Sequence, residues 1–227
     1  MRTERSCENC NKKSPAALNL SDSELKELEE NCVRVSFKKG DTIFKQGIFS
    51  ANVIYLREGL VKIHFEDKSK EKIVKLVQAP AFIGIPAMIN KKINQYSASS
   101  ITDVSVCIIN MESLVKFIKL NGKFAYSIIT DLCKNELELY HKYVSGTQKQ
   151  IQGRLAETIL FFSNDVYHSD SFSIPVSRSE LGNYIHATRE SVSRVLKEFA
   201  VHKILKSDGK VFTILNKSKL EEYSRTN

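Results

Sequence analysis

Residues 176–199 read VSRSELGNYIHATRESVSRVLKEF and contain two helix start signals. Ser177 and Glu180 have the spacing of a capping box, in which each side chain bonds the backbone N–H of the other residue. Thr188 is of a residue type that caps a second helix. We therefore predict a first helix that ends near His186 and a second that begins after Thr188. Two short helices joined by a tight turn form a helix-turn-helix.

The second helix has an apolar face and a polar face. At helical spacing, the apolar residues that share one face are Val192, Val195, Leu196 and Phe199. The residues on the opposite face are Arg189, Glu190, Ser193, Arg194 and Lys197. Arginine donates two hydrogen bonds to guanine, glutamate accepts one from cytosine, and serine contacts either kind of base edge. We predict that this face reads DNA bases, although taken alone it also fits an ordinary solvated surface.

Residues 204–215, ILKSDGKVFTIL, follow and predict a β-hairpin. Asp208-Gly209 lies between two apolar runs and supplies the positive backbone angles of a tight turn. A hairpin after a helix-turn-helix makes a winged helix, in which Lys206 and Lys210 are placed for phosphate contacts. At the start of the first helix, the residues that complete the predicted DNA-binding set are Ser177 and Arg178.

Length and charge limit the classes of function. A chain of 227 residues favours two domains. The net charge of +8 and the pI of about 9.1 favour an anionic partner, either nucleic acid or an acidic membrane surface. The sequence contains neither a run of about 20 apolar residues nor an apolar N-terminal signal segment. We expect a cytoplasmic protein with no membrane partner.

The N-terminal half predicts a short helix followed by an antiparallel β-roll. Ser21 and Glu24 form a second capping box, and the helix should run to about Asn31. From Val33 onward, apolar residues alternate with polar ones in short runs, which is typical of strands. The glycines that separate these runs are Gly40, Gly47 and Gly59. The prolines that cannot lie inside a central strand, and that predict a short helix or loop, are Pro80 and Pro86.

A long helix is predicted between the two halves. The apolar residues that recur along it at spacings of four or seven are Phe124, Ile128, Leu132, Leu139 and Tyr143. A helix of about 25 residues is roughly 37 Å long, which exceeds what one small roll can cover. A coiled-coil dimer is therefore favoured over a helix that only covers its own roll. Cys133 follows Leu132 and is predicted to pack rather than to react.

Three separated motifs make the chain resemble the Crp/Fnr family of bacterial transcription regulators, from about Ser21 to Leu220. The motifs are KKGDTIFKQG with VIYLREGLVKIHF, AFIGIPAM with QYSASS, and the helix-turn-helix segment. The resemblance implies an α+β fold with an N-terminal cyclic-nucleotide-binding-like antiparallel β-roll, a long dimerisation helix and a C-terminal winged helix-turn-helix. The expected domains are a tail (1–20), a sensory β-roll (21–118), a dimerisation helix (119–146) and a DNA-binding domain (147–227).

The resemblance also implies how DNA is read. Glu190 and Arg194 match family positions that contact the core base pairs of each half-site, while Arg189 and Ser193 match positions that differ between subfamilies. A homodimer would read an inverted repeat whose half-sites lie about one helical turn apart. Such a regulator is also expected to contact RNA polymerase.

The roll departs from the cyclic-AMP-binding members of the family. Those members carry a glutamate for the ribose after Phe-x-Gly and an arginine for the cyclic phosphate before Ser-Ala. Ile85 and Tyr96 stand at these places here. Without the bidentate guanidinium, we do not expect cyclic AMP to be the ligand. The pocket residues Gly84, Ile85, Tyr96 and Ser97 remain candidates for binding a less anionic molecule.

The cysteines resemble those of the oxygen-sensing Fnr branch, which hold a [4Fe–4S] cluster. Cys7 and Cys10 lie in the tail, and Cys107 lies in the run VSVCII. The third tail cysteine of that branch is missing here, and a cluster of this type takes four thiolates. Cys32 or a non-cysteine group could be the fourth ligand, zinc could bind instead, or Cys7 and Cys10 could form a disulfide. Cys107 could equally be a small buried hydrophobe, so the cofactor is left open.

Two alternative functions are disfavoured. A thiol enzyme that uses Cys7 and Cys10 lacks a βαβ pattern and a glycine-rich phosphate loop. A ligand-binding or thiol-redox sensor without direct DNA readout would not need a helix-turn-helix with a wing. We therefore expect a DNA-binding transcription regulator rather than an enzyme, with oxygen, redox state or a small ligand other than cyclic AMP as its signal.

Overall fold

The computed structural model describes residues 10–67, 70–89 and 92–225. The chain divides into two compact units, residues 1–137 and 138–227, and each unit has its own buried core. Among the described residues, no helix is both long and apolar enough to span a membrane.

The first unit is built on two four-stranded antiparallel sheets. The strands are β1 (Cys32–Phe37), β2 (Thr42–Phe44), β3 (Asn52–Glu58), β4 (Leu60–Asp67), β5 (Lys70–Gln78), β6 (Ala81–Ile83), β7 (Ser97–Ser100) and β8 (Val104–Asn110). The first sheet has the order β1-β8-β3-β6 and the second sheet has the order β2-β7-β4-β5. This arrangement confirms the predicted antiparallel roll.

Three helices cover the first sheet. They are α1 (Asp22–Glu30), α2 (Met111–Leu120) and the N-terminal part of α3 (Gly122–Gln148). The predicted capping box of α1 is present, because Ser21 N donates to Glu24 Oε2 at 2.8 Å and Glu24 N donates to Ser21 Oγ at 3.4 Å. The bond from the Ser21 backbone holds the pKa of Glu24 below its usual value, so the carboxylate stays charged at the helix N-terminus, where it is stabilising.

Strand β3 is buried on both faces because two cores lie on either side of it. Ile54 and Leu56 point into the core between the two sheets. Val53 and Tyr55 point into the core that α1, α2 and α3 share with the first sheet. The proline-containing segment after β5 also agrees with the sequence, since Pro80 precedes the edge strand β6 and a short 3-10 helix spans Ile85–Met88.

Helix α3 is 27 residues long, and its predicted apolar stripe divides into two parts. Phe124 and Ile128 are buried in the core of the first unit, so the expectation that a partner helix covers them is wrong. They are buried because they pack together with α1, α2 and the apolar face of the first sheet. The other three members of the stripe, Leu132, Leu139 and Tyr143, are 40%, 45% and 72% exposed.

The second unit consists of helices around a three-stranded antiparallel sheet of order β10-β11-β9. Its elements are α4 (Ile151–Phe161), a π-helical turn (Phe162–Tyr167), β9 (Ser171–Ser173), α5 (Arg178–Tyr184), α6 (Arg189–Val201), β10 (Leu205–Asp208), β11 (Val211–Ile214) and α7 (Lys217–Arg225). The predicted hairpin is present, and Gly209 takes a φ of +59° at its turn. Strand β9 and helix α7 had no counterpart in the sequence-based prediction.

Candidate nucleic-acid interface

The turn between α5 and α6 is tight because one glycine lies against the backbone of the next helix. Ala187 N donates to the carbonyl oxygen of Gly182 at 2.8 Å. A Cβ at position 182 would lie 2.7 Å from the Ala187 carbonyl oxygen, so only glycine fits there. Residue His186 takes a left-handed φ of +56° to complete the turn. Thr188 Oγ1 then accepts from Ser191 N at 3.1 Å, which confirms the predicted cap of α6.

The rotation of α6 about its axis is determined by the side chains that it buries. They are Val192, Val195, Leu196 and Phe199, each at most 2% exposed. Helix α6 packs against α4, α5 and β10, and the Tyr223 ring of α7 meets the Phe199 ring edge-on at 5.1 Å. Because this face is held in the core, the opposite face of α6 is directed to the surface.

The surface face of α6 carries the residues that the sequence singled out. Arg189, Glu190, Arg194 and Lys197 are exposed and Ser193 is half-buried. Glu190 accepts hydrogen bonds from its own backbone N–H and from Thr188, and these bonds lower the pKa of its carboxyl group. At neutral pH it is therefore a charged acceptor at the N-terminus of α6, next to the cationic Arg189.

The remaining predicted contacts lie on two neighbouring elements. Lys206 on β10 and Lys210 in the hairpin turn are exposed. Ser177 is exposed at the start of α5, but its hydroxyl is engaged in the capping box with Glu180 at 2.9 Å. Arg178 is half-buried in the first turn of α5. The sequence-based analysis did not identify Gly182, whose role depends on a contact with Ala187 that only the folded turn creates.

The four residues of the predicted ligand pocket are buried or engaged with other groups of the protein. The backbone N–H of Gly84 donates to the hydroxyl of Tyr96 at 2.9 Å. The Tyr96 ring lies 5.7 Å from the ring of Phe44, and burial raises the pKa of the Tyr96 hydroxyl. Ser97 Oγ accepts from Gln46 N at 3.0 Å, and Ile85 is buried. The backbone donor of Gly84 and the Ser97 hydroxyl therefore already have partners.

The cysteines fall into two groups. Cys10, Cys32 and Cys107 line one cavity of about 40 Å³ in the first unit, whereas Cys133 is exposed on α3. Cys7 lies outside the described residues. Among the residues that are described, no three His, Cys, Asp or Glu side chains are arranged to hold a metal ion. The described thiols alone do not fit an iron–sulfur cluster, which takes four ligands.

Comparisons with known proteins agree with both units. Residues 34–121 match the family model of the cyclic nucleotide-binding domain, and residues 153–223 match that of the Crp-like helix-turn-helix domain. Transcriptional activator protein FnrA of Stutzerimonas stutzeri is 26% identical over 208 residues, which cover 89% of this chain and 84% of the relative. The fumarate and nitrate reduction regulatory protein of Vibrio cholerae is 27% identical over 217 residues, which cover 89% and 83%.

A solved structure supports the fold. FixK2 from Bradyrhizobium japonicum superposes with a TM-score of 0.77 at 19% identity, over 86% of this chain and 98% of that chain. A Crp-like helix-turn-helix in the same chain as a cyclic nucleotide-binding domain defines a DNA-binding transcription regulator. The chain belongs to the Crp/Fnr family.

The Gly182→Ala variant tests the turn. We expect the new Cβ to force the turn open, because it meets a backbone oxygen, and to lower the free energy of unfolding by about 1–3 kcal/mol. Gly146→Ala is the control, since its Cβ would lie at an ordinary 3.6 Å from the His186 ring. Urea unfolding of both variants checks this. Equal stability of the Gly182→Ala variant and the wild type would contradict the close approach.

Proposed function

We propose that this protein is a homodimeric transcription factor that reads an inverted-repeat operator by placing α6 in the DNA major groove. The observation that supports it best is the orientation of α6. Its apolar face is held in the core, while the arginines and the glutamate of its N-terminal half face solvent. Recognition helices contact base edges with their N-terminal residues.

Different side chains have different tasks in this proposal. Glu190, charged at neutral pH, accepts a hydrogen bond from cytosine N4, and Arg194 donates two hydrogen bonds to guanine. Arg189 and Ser193 contact adjacent base edges. Lys206 and Lys210 of the wing and Lys197 contact phosphates, while Ser177 and Arg178 bring the start of α5 to the DNA backbone. The phosphate contacts position the protein and the base contacts give specificity.

The dimer forms through the apolar face of α3. The exposed residues of this face, at successive spacings of three or four, are Tyr126, Ile129, Cys133, Leu137, Tyr140 and Val144. This repeat is that of a two-stranded coiled coil. A second copy of the chain is the partner that a two-fold symmetric operator requires, because an isologous dimer presents the same reading helix to both half-sites.

The signal is not cyclic AMP. Tyr96 takes the place of the phosphate-binding arginine of cyclic-AMP-binding members, and its hydroxyl accepts a hydrogen bond from the Gly84 N–H. The protein acts in the cytoplasm, contacts RNA polymerase at its promoters and carries out no catalysis of its own. The named relatives are transcription regulators, which supports this assignment.

Base readout is tested with Glu190→Ala and Arg194→Ala. An operator is first selected from random duplex DNA with the wild-type protein. We expect each variant to lose about 1–3 kcal/mol of discrimination between this operator and single-base variants of it. His202→Ala, at the far end of α6, is the control. Unchanged discrimination in gel-shift titrations would refute the two assignments.

Lys210→Ala tests the wing. We expect weaker binding to every sequence, and a dependence of log affinity on log salt that is shallower by about 1.8, because each of the two protomers loses one phosphate contact that contributes about 0.9. Lys219→Ala on α7 makes the same charge change and should leave the slope unaltered. The measurement is fluorescence anisotropy across a series of salt concentrations. A loss of affinity for the operator alone would show that Lys210 reads bases.

Cys133 provides a probe of the dimer. In a parallel pair of α3 helices in register, each Cys133 faces its own copy, so a short bismaleimide should join two chains of the wild type and none of Cys133→Ser.

Ile129→Glu with Leu137→Glu should produce a monomer in sedimentation, because the charges cannot be buried in the seam. Lys134→Glu, off the stripe, should remain a dimer. A wild-type protein that sediments as a monomer would rule out the interface.

A further inference from the structure

One cavity of the first unit combines thiols with buried hydrogen-bond donors. It has a volume of about 40 Å³, and the residues that matter for its chemistry are Cys10, Cys32, Tyr55, Arg57 and Cys107. A space of roughly 10–15 Å³ holds one water-sized molecule. The cavity therefore accepts a molecule of only a few non-hydrogen atoms.

Strand register explains why these residues meet. Cys107 lies on β8, opposite Tyr55 of β3 on one side and Arg34 of β1 on the other. Cys32 lies on the same face of β1, two residues from Arg34, and its thiol donates a hydrogen bond to the sulfur of Cys107. Two thiols are thus in direct contact at the wall of the cavity.

Arg57 supplies an unusual buried cation. The side chain is 8% exposed; its Nη2 donates to Cys10 Sγ at 3.3 Å and its Nη1 to Ser105 Oγ at 3.4 Å. Within the described part of the chain, Arg57 Nε and the Tyr55 hydroxyl are buried without a hydrogen-bond partner. A buried donor left unpaired costs free energy. Both groups are donors available to an oxygen-containing molecule that enters the cavity.

We propose that this cavity is a reaction site for hydroperoxides, in which Cys107 is oxidised and Cys32 then closes a disulfide with it. The site would supply the signal of the regulator proposed above, and in that role it rests on the proposed function. Its chemistry involves residues of the first unit alone.

The reaction proceeds in two balanced steps. The Cys107 thiolate attacks the terminal oxygen of the hydroperoxide, the O–O bond breaks, and the hydroxyl group is transferred to sulfur as a sulfenic acid. The remaining oxygen leaves with the electron pair, accepts hydrogen bonds from Arg57 and Tyr55, and takes a proton from water. The Cys32 thiol then attacks the sulfenic sulfur, loses its proton and releases water as the S–S bond forms.

The electrostatics of the site favour the first step. Arg34 lies opposite Cys107 in the strand register and Arg57 lines the same cavity, so two cationic side chains lie near the sulfur that must react as an anion. The thiolate is the nucleophilic form of cysteine. The contact between the thiols is diagonal across two strands, and β1 is an edge strand bonded only to β8 within its sheet. Because β1 has a neighbour on one side only, its backbone around Cys32 can adjust locally to meet disulfide geometry.

For the test, the full-length protein is purified in its reduced form without oxygen and is assayed for iron and sulfide. It is then treated with one equivalent of hydrogen peroxide. Thiols are alkylated at intervals and mapped by mass spectrometry. We expect a Cys32–Cys107 disulfide that forms at least tenfold faster than the same peroxide oxidises free cysteine at the same pH. Cys32→Ser should stop at a Cys107 sulfenic acid that dimedone traps.

Two further variants probe the donors. Tyr55→Phe removes only a hydroxyl and Arg57→Gln removes the charge, and each should slow Cys107 oxidation several-fold relative to the wild type. Cys107 oxidation no faster than that of free cysteine at the same pH would overturn the proposal. A disulfide from Cys107 to Cys10, or stoichiometric iron and sulfide that protect these thiols, would also overturn it. Operator binding by the reduced protein is measured separately, so failure of the DNA-binding proposal can be distinguished from failure of the hydroperoxide proposal.

Discussion

Burial of one face of α6 is the constraint on which the DNA-binding unit depends. Four apolar side chains, Val192, Val195, Leu196 and Phe199, are buried in a core where α6 packs against α4, α5 and β10. A helix anchored in this way cannot rotate about its axis without exposing that apolar surface, which would cost several kcal/mol. The direction of the arginines and of Glu190 is therefore a consequence of packing, and the close approach at Gly182 positions the start of the helix.

The same principle arranges the first unit. Alternation along β3 sends Leu56 into the core between the sheets and Tyr55 into the core beneath the helices. Tyr55 and Cys107 lie on the same face of the first sheet. This face therefore brings a tyrosine, an arginine and the strand cysteines Cys32 and Cys107 to one cavity. The two cores of the roll thus carry different chemistry: the Tyr96 hydroxyl bonds the Gly84 N–H beside one, and Cys107 lies at a cavity beside the other.

Prediction from sequence succeeded where the signal is local. The capping boxes at Ser21 and Ser177, the N-cap at Thr188 and the hairpin at Gly209 are each specified by residues close together in the chain, and all are present. Strand β9 and helix α7 were missed because they are short and polar, and their stability comes from packing on β11 and on Phe199. The predicted stripe on α3 divides at Ile128, because Phe124 and Ile128 belong to the core of the first unit, and helical spacing alone does not show how far that core extends.

The sequence by itself determined three things: the types of the main elements, the order of a roll followed by a winged helix-turn-helix, and the polar face of α6. It did so because helical and strand periods assign side chains to faces without knowledge of distant neighbours. Only the tertiary structure decided that Cys10, Cys32 and Cys107 share a cavity with Arg57, and that the Tyr96 hydroxyl bonds Gly84. These contacts join residues far apart in the chain. Their existence depends on sheet order and strand register, which the hydrophobic pattern of a single strand does not specify.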